Sequence, residues 1–128
     1  MRLLCADDDP DIRSILRLAL GLDAGLEVEM VDSGHAVLAR AAAGGFDGIL
    51  LDAMMPGLDG YETCRRLKDD PRTASVPVVF LTAKSQAGDP RRAQDAGALA
   101  CLTKPFDPLT IAADLRAALS AGRSPAAG

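Results

Sequence analysis

Short apolar runs alternate with amphipathic stretches along the chain, and the apolar runs stop at polar or turn-forming residues. The runs have the length of strands, whereas the stretches between them repeat apolar residues every three or four positions, as an amphipathic helix does. The pattern predicts five strands, at residues 3–6, 26–31, 46–51, 76–81 and 100–102. It predicts a helix after each strand, at about residues 10–20, 33–43, 59–68, 89–97 and 108–119.

This alternation predicts an α/β fold with a parallel sheet that is covered by helices on both faces. The second strand alternates Leu26, Val28 and Met30 with Glu27 and Glu29, which is typical of a strand at the edge of a sheet. With 128 residues the chain fits one domain. We therefore expect one domain over residues 1–120 and a disordered tail at 121–128, where small residues, Ser and Pro dominate.

Charge and composition argue against two classes of partner. The net charge is −4, no basic stretch stands out, and the chain has three Phe, one Tyr and no Trp, so little in it suits nucleic acid. No apolar run is long enough to span a bilayer, and the acidic residues at 7–9 follow too soon for a signal peptide. We expect a soluble cytoplasmic protein with neither a nucleic-acid nor a membrane partner.

The cysteines and the single histidine suggest no chemistry of their own. Cys5, Cys64 and Cys101 lack the spacing of metal ligands and lie in apolar segments, so we expect buried thiols without a disulfide. His35 falls on the second predicted helix, away from the acidic residues at the strand ends, and is interpreted as a surface residue.

Polar residues stand at the carboxyl ends of four predicted strands. Asp7 and Asp8 follow the first strand, Asp52 ends the third, Thr82 ends the fourth and Lys104 follows the fifth. Each alone could be a helix cap, a loop residue or a solvated charge. Together they should meet in one crevice, because ligands of open parallel sheets bind outside the carboxyl ends of the strands.

This set of residues suits phosphoryl transfer to a carboxylate. Neighbouring carboxylates repel one another unless a cation lies among them, and Mg²⁺ prefers oxygen ligands. Asp8 and Asp52 would bind Mg²⁺ directly, and Asp7 directly or through water. Asp52 would attack phosphorus, Lys104 and Mg²⁺ would spread the charge of the transferring group, and Thr82 would donate a hydrogen bond to it.

Four segments carry a resemblance to a known family: Ala6-Asp7-Asp8-Asp9-Pro10-Asp11-Ile12-Arg13, Leu51-Asp52-Ala53-Met54-Met55-Pro56-Gly57-Leu58-Asp59-Gly60, Phe80-Leu81-Thr82-Ala83-Lys84 and Leu102-Thr103-Lys104-Pro105-Phe106. Over residues 2–120 the chain resembles the response-regulator receiver domains of two-component signalling, including single-domain chemotaxis receivers. The resemblance implies a flavodoxin-like, doubly wound sheet of five parallel strands in the order 2-1-3-4-5, with five helices.

The resemblance also implies roles for single residues. Asp52 is implied as the phosphoacceptor, Asp7 and Asp8 as the acidic pair that holds Mg²⁺, and the backbone carbonyl of Met54 as a further ligand. Thr82 is implied as the switch hydroxyl. Lys104 is implied as the phosphate-binding lysine, followed by a cis peptide bond to proline, and the family keeps a glycine at the position of Gly60.

A receiver of this kind is a signalling phosphoacceptor and not a metabolic enzyme. The resemblance implies that a histidine kinase or a phosphotransfer protein supplies the phosphoryl group and that hydrolysis later removes it. Without an output domain, the response would come from docking to an unidentified downstream protein.

Two departures from the family pattern concern the way the signal leaves the site. Receivers usually carry Tyr or Phe three residues before the lysine, where this chain has Cys101, and many have Gly-Ala-Asp-Asp where this chain has Gly-Ala-Leu-Ala at 97–100. We expect Cys101 to contribute little to switching, the changes to fall on residues 83–89 and the next helix, and Leu99 to join a docking surface. The missing acidic pair argues against one symmetric dimer of the family, and we expect a monomer.

Two alternative functions stay open from the residues. A hydrolase of the haloacid-dehalogenase type also uses an aspartyl nucleophile, Mg²⁺ and a lysine, and the acidic residues 7–9 superficially fit its Asp-x-Asp arrangement. It would leave Asp52 unexplained, and the chain has no cap domain. A degenerate receiver would bind a partner without phosphorylation, against which the complete acidic set argues.

Overall fold

The computed structural model describes residues 1–83 and 90–122 and contains five strands and five helices in alternation. The strands are β1 (Arg2–Ala6), β2 (Glu27–Val31), β3 (Gly48–Asp52), β4 (Val78–Ala83) and β5 (Ala100–Lys104). The helices are α1 (Pro10–Gly21), α2 (Gly34–Ala42), α3 (Gly60–Asp69), α4 (Pro90–Asp95) and α5 (Ile111–Gly122).

The strands form one parallel sheet in the order β2-β1-β3-β4-β5, which confirms the predicted architecture and the edge position of β2. The register aligns the strand ends, with Ala6 opposite Leu51, Asp52 opposite Leu81 and Ala83 opposite Lys104. The residues at these ends therefore share one rim of the sheet.

Two apolar cores lie on opposite faces of the sheet. One contains Leu51 and Phe80 and packs against α2, α3 and α4, and the other contains Leu50 and Leu81 and packs against α1 and α5. Every residue of β3 is buried, as expected of a central strand covered on both faces. None of the helices in the described ranges is long and apolar enough to cross a bilayer.

Side-chain caps begin the first three helices. Asp9 accepts a hydrogen bond from the N–H of Asp11 at the start of α1, and Ser33 caps α2. Asp59 caps α3 through the N–H of Glu62. Caps of this kind satisfy backbone donors that the helix itself leaves free, and the caps of α1 and α3 border the rim.

The last helix begins at Ile111 and not at residue 108. Asp107 accepts hydrogen bonds from the N–H groups of Leu109, Thr110 and Ile111, so residues 108–110 form a turn before the helix. The helix runs to Gly122, past the predicted end at residue 119. Of the predicted tail, residues 123–128 lie outside the described residues.

Gly60 is required where α3 meets β3. A Cβ atom at this position would lie 2.3 Å from the carbonyl oxygen of Asp52 and 2.8 Å from Cα of Ala53, both backbone atoms that cannot rotate away. We expect Gly60→Ala to destabilise the protein by about 1–3 kcal/mol through overpacking, measured by urea unfolding. Gly21→Ala is the matched control, because nothing lies within 4 Å of its added Cβ, and we expect it to be neutral or slightly stabilising.

Candidate functional site

Three carboxylates converge at the carboxyl end of the sheet. Asp7 follows β1, Asp52 is the last residue of β3, and Asp8 lies beside Asp7. One oxygen from each of the three lies within 4.8 Å of the other two. Asp7 and Asp52 are buried and Asp8 is exposed, so the cluster opens to solvent on one side.

Lys104 brings a positive charge into this cluster from the end of β5. Its Nζ donates a hydrogen bond to Oδ2 of Asp7 at 2.8 Å and lies 3.4 Å from Oδ2 of Asp52. The peptide bond from Lys104 to Pro105 is cis, as predicted. The hydrogen bond between Lys104 and Asp7 thus joins residues that lie 97 positions apart in sequence.

Backbone donors orient the two buried carboxylates. Oδ1 of Asp7 accepts the N–H of Asp9 at 3.0 Å, and Oδ1 of Asp52 accepts the N–H of Met54 at 3.1 Å. Each carboxylate therefore has one oxygen held by the following loop and the other oxygen turned toward Lys104. The predicted role of the Met54 carbonyl as a metal ligand stays a prediction.

Arg13 contributes to the site although the sequence reasoning assigned it no role. Its guanidinium donates a hydrogen bond of 2.9 Å to the backbone carbonyl of Asp7, from the first turns of α1. The contact ties α1 to the loop that carries the acidic pair. Arg13 is the last residue of the first segment that resembles the receiver family, but nothing else in the sequence distinguishes it from a solvated arginine.

The environment of Asp52 opposes its ionisation. The pKa of Asp52 is raised from 3.8 to about 6: burial is the largest effect and raises it, the N–H of Met54 lowers it, the charge of Asp7 raises it, and Lys104 lowers it. For Lys104, burial acts to lower the pKa, but its contacts with Asp7 and Asp52 outweigh burial and raise it. The ammonium therefore stays charged and offsets only part of the carboxylate repulsion.

The carboxylates fit a hard divalent cation. Oxygen ligands that converge on one side, with a net negative charge that Lys104 does not cancel, are what Mg²⁺ binds in proteins. Burial, with a smaller contribution from the charge of Asp7, raises the pKa of Asp52, so a bound cation would favour its ionised form. Asp7, Asp8 and Asp52 are the residues that could hold such an ion.

Thr82 lies near the end of β4 with its side chain buried. Among the described residues its hydroxyl has no hydrogen-bond partner. A buried hydroxyl without a partner is unfavourable, so this group is available to bind an acceptor that arrives from outside.

Cys101 corrects the prediction that all three cysteines are buried. Cys5 and Cys64 are buried, whereas Cys101 is exposed, and all three thiols are free. The reason is the strand order: β5 is the second edge of the sheet, and its side chains alternate between half-buried and exposed. The apolar composition of residues 100–102 did not reveal this edge.

Comparisons with known proteins agree on one family. The family model described as the response regulator receiver domain matches residues 3–116. The DNA-binding dual master transcriptional regulator RpaA of Synechocystis sp. is 42% identical over 118 residues, which are 92% of this chain and 48% of RpaA. The response regulator PleD of Caulobacter vibrioides is 43% identical over 120 residues, which are 90% of this chain and 25% of PleD. The chain thus spans about half or less of these relatives.

Solved structures show the same similarity. The chemotaxis response regulator CheY4 of Vibrio cholerae superposes with a TM-score of 0.83 at 31% identity, covering 91% of this chain and 97% of CheY4. The receiver domain of the sensor histidine kinase PA1611 from Pseudomonas aeruginosa gives a TM-score of 0.78 at 29% identity, covering 94% of each chain. That structure has a magnesium ion coordinated in its active-site cleft.

The raised pKa of Asp52 predicts how stability depends on pH in metal-free buffer. Because the folded protein holds this proton up to about pH 6 and the unfolded chain only to about 3.8, the contribution of Asp52 is most favourable below pH 4 and is lost as the pH rises through 6. Asp52→Asn removes this penalty, and we expect it to stabilise the protein in EDTA at pH 7–8 by about 1–3 kcal/mol.

Urea unfolding of both proteins between pH 4 and pH 8 measures the effect. The difference between the variant and the wild type should disappear toward pH 4. Asp69→Asn, an exposed position at the other end of α3, should change stability little at any pH. A pH-independent gain in Asp52→Asn would contradict the electrostatic explanation.

Proposed function

The chain belongs to the response regulator receiver domain family of two-component systems, and on that premise we propose that it accepts a phosphoryl group on Asp52, changes its binding surface, and later releases phosphate by hydrolysis. One observation carries the proposal. At one rim of the sheet, the carboxylates of Asp7 and Asp52 both lie within hydrogen-bond or ion-pair distance of the ammonium group of Lys104.

The proposed transfer step uses Asp52 as the nucleophile. A carboxylate oxygen of Asp52 forms a bond to phosphorus while the bond between phosphorus and the donor nitrogen of a phosphohistidine breaks, which leaves the donor imidazole free. Lys104, already 3.4 Å from Asp52, is placed to hold a phosphoryl oxygen. Such steps depend mainly on positioning and charge stabilisation, which these fixed side chains supply.

Mg²⁺ is the proposed cofactor, held by Asp7, Asp8 and Asp52, with the carbonyl of Met54 as a further ligand. When bound, the ion neutralises negative charge on the carboxylates and the phosphoryl oxygens. Asp7 has its Oδ1 engaged by the N–H of Asp9 and its Oδ2 by Lys104. Asp8 is the exposed carboxylate of the cluster and is the most accessible ligand.

Thr82 and Lys104 change their hydrogen bonds when Asp52 is phosphorylated. The buried hydroxyl of Thr82 gains an acceptor when phosphoryl oxygens arrive at Asp52, which removes the penalty of its unpartnered state. Lys104 can turn from the Asp7 carboxylate to a phosphoryl oxygen. Both changes favour a rearranged state of β4, β5 and their surroundings, which is a population shift biased by the phosphoryl group.

Hydrolysis ends the signal in the proposed cycle. Water attacks phosphorus, the bond to the Asp52 oxygen breaks, and the carboxylate and inorganic phosphate are released. The chain acts as a signalling phosphoacceptor in this scheme and not as a metabolic enzyme. A histidine kinase or a phosphotransfer protein is the proposed donor, and an unidentified downstream protein is the proposed target.

The setting of this cycle is also a proposal. Three free cysteines suit the reducing cytoplasm, where we place the protein. Residues 1–120 form the receiver domain in this proposal. We propose that it acts as a monomer, since the acidic pair used in one symmetric dimer of the family is absent from residues 97–100.

The first test of function locates the phosphoryl group. We expect wild-type protein incubated with Mg²⁺ and labelled acetyl phosphate to carry the label on Asp52, and Asp52→Asn to carry none. EDTA should reduce the labelling of the wild type at least tenfold, by the charge stabilisation that the ion provides. Peptide mapping by mass spectrometry identifies the labelled carboxylate.

The controls separate the alternatives. Asp69→Asn should be labelled as the wild type is, since this carboxylate lies outside the site. Label on Asp7 or Asp9 would indicate a hydrolase that uses the acidic residues after β1. Complete absence of label from the wild type would indicate a receiver that works without phosphorylation.

Thr82 offers a second, independent test. Thr82→Val keeps the shape of the side chain and removes a buried hydroxyl that has no hydrogen-bond partner among residues 1–83 and 90–122, so we expect it to stabilise the unphosphorylated protein by about 1–2 kcal/mol. It should still be labelled on Asp52 but lose the phosphorylation-dependent change in amide exchange on β4 and α4. Thr82→Ser retains the hydroxyl and should keep that change, and a normal change in the Val variant would refute the role of Thr82.

A further inference from the structure

Within residues 91–98, helix α4 and the turn after it bury only small side chains. The buried side chains at its described positions and just after it are the small Ala93 and Ala96, while Arg91, Gln94 and Asp95 are exposed. Burial of a methyl group contributes little free energy compared with a leucine or a ring. A contact made by a longer side chain of α4 therefore contributes a large part of the free energy that keeps the helix in place.

Arg92 provides that larger contact. The centre of its guanidinium lies 4.0 Å from the centroid of the Tyr61 ring, which is a cation–π geometry. One guanidinium nitrogen lies 3.9 Å from Oδ2 of Asp59, the residue that caps α3. Arg92 thus ties α4 both to the first turn of α3 and to the loop that follows Asp52.

Tyr61 carries this contact into the core. Its side chain is buried, and its ring packs against Phe80 with a centroid distance of 4.9 Å and an angle of 46° between the planes. Phe80 precedes Thr82 by two positions in β4, so both side chains point to the same face of the sheet. Ring and cation–π contacts therefore connect Phe80 through Tyr61 to Arg92, and Thr82 lies on the same face of β4 two positions after Phe80.

Strand β5, which pairs with β4, contains no aromatic residue. Cys101 lies opposite Phe80 in the register of β4 and β5, and its small side chain is exposed. A shift of the Thr82 and Phe80 side chains thus meets an aromatic neighbour on the side of α3 and only a thiol on the side of β5.

We propose that Arg92, stacked on Tyr61, is a latch that holds α4 in the resting protein and passes the state of Thr82 to α4. This inference rests on the proposed phosphorylation of Asp52. When Thr82 is drawn to the phosphoryl group, repacking of Phe80 and Tyr61 weakens the stack under Arg92 and loosens α4. Arg92 is a positioning residue in this scheme and takes no part in phosphoryl transfer.

Amide exchange of residues 91–98, followed by mass spectrometry, tests both parts of the proposal. In the resting protein we expect Arg92→Gln to raise exchange in this segment about two- to fivefold, by loss of one cation–π contact. Tyr61→Leu, which keeps an apolar side chain without the ring, should have the same effect, and adding it to Arg92→Gln should raise exchange little further. Arg91→Gln, on the exposed neighbour, is the matched control and should leave exchange unchanged.

The second arm adds Mg²⁺ and acetyl phosphate. Phosphorylation of Asp52 should reach the wild-type level in Arg92→Gln, while the phosphorylation-dependent rise in α4 exchange, present in the wild type and in Arg91→Gln, should be lost. Arg92→Lys keeps a cation over the ring and should retain part of the rise.

The outcomes distinguish this proposal from the proposed function. Wild-type exchange in resting Arg92→Gln would overturn the latch, whatever happens on phosphorylation. A full phosphorylation-dependent rise in Arg92→Gln would overturn the relay. Absence of label from the wild type would overturn the proposed function and the relay with it, while the resting exchange would still decide whether Arg92 holds α4.

Discussion

The ammonium group of Lys104 between the carboxylates of Asp7 and Asp52 is the interaction on which the rest of the site depends. Two buried carboxylates at one rim repel each other, and a single positive charge 2.8 Å from one and 3.4 Å from the other keeps them together. Burial, and to a smaller extent the charge of Asp7, still raises the pKa of Asp52 despite the nearby ammonium. The protein therefore tolerates a buried carboxylate that is unfavourable to ionise, and the proposed function assigns this group to a cation and a phosphoryl group.

The surrounding backbone keeps this arrangement in place. Gly60 allows the start of α3 to approach the carbonyl of Asp52, and the caps of α1 and α3 fix the loops after β1 and β3. The N–H groups of those loops hold one oxygen of each buried carboxylate. Side chains held by packing and backbone hydrogen bonds lose little freedom when a ligand arrives, and this is the basis of preorganised phosphoryl transfer.

The residues of the proposed site lie on both faces of the sheet. Strand alternation places Asp52 and Lys104 with Leu50 and Leu102 on the face packed by α1 and α5, whereas Thr82 shares the opposite face with Phe80. The proposed phosphoryl chemistry at the rim is thus adjacent to one core, and Thr82, the proposed switch residue, belongs to the other. On that second face the exposed Cys101 leaves the ring of Tyr61 as the aromatic neighbour of Phe80, which is why coupling through α3 and α4 is proposed and not through β5.

The sequence by itself determined the order of elements, because periodicity and turn residues are local properties. It also determined the candidates at the strand ends, because a parallel α/β sheet brings carboxyl ends to one rim. The caps at Asp9 and Asp59 were also predictable from the sequence, because a cap is a contact over two or three residues, whereas the choice of Ser33 over Asp32 for α2 came from the structure.

What the tertiary structure decided was contact between distant residues. The choice of Asp7 as the closer partner of Lys104, the bond from Arg13 to the Asp7 carbonyl and the stack of Arg92 on Tyr61 depend on packing between elements. The exposure of Cys101 depends on β5 being an edge, which its apolar sequence does not reveal. Local patterns state which residues share an element, but only the packed sheet and helices set the distances between their charges, and those distances decide the chemistry.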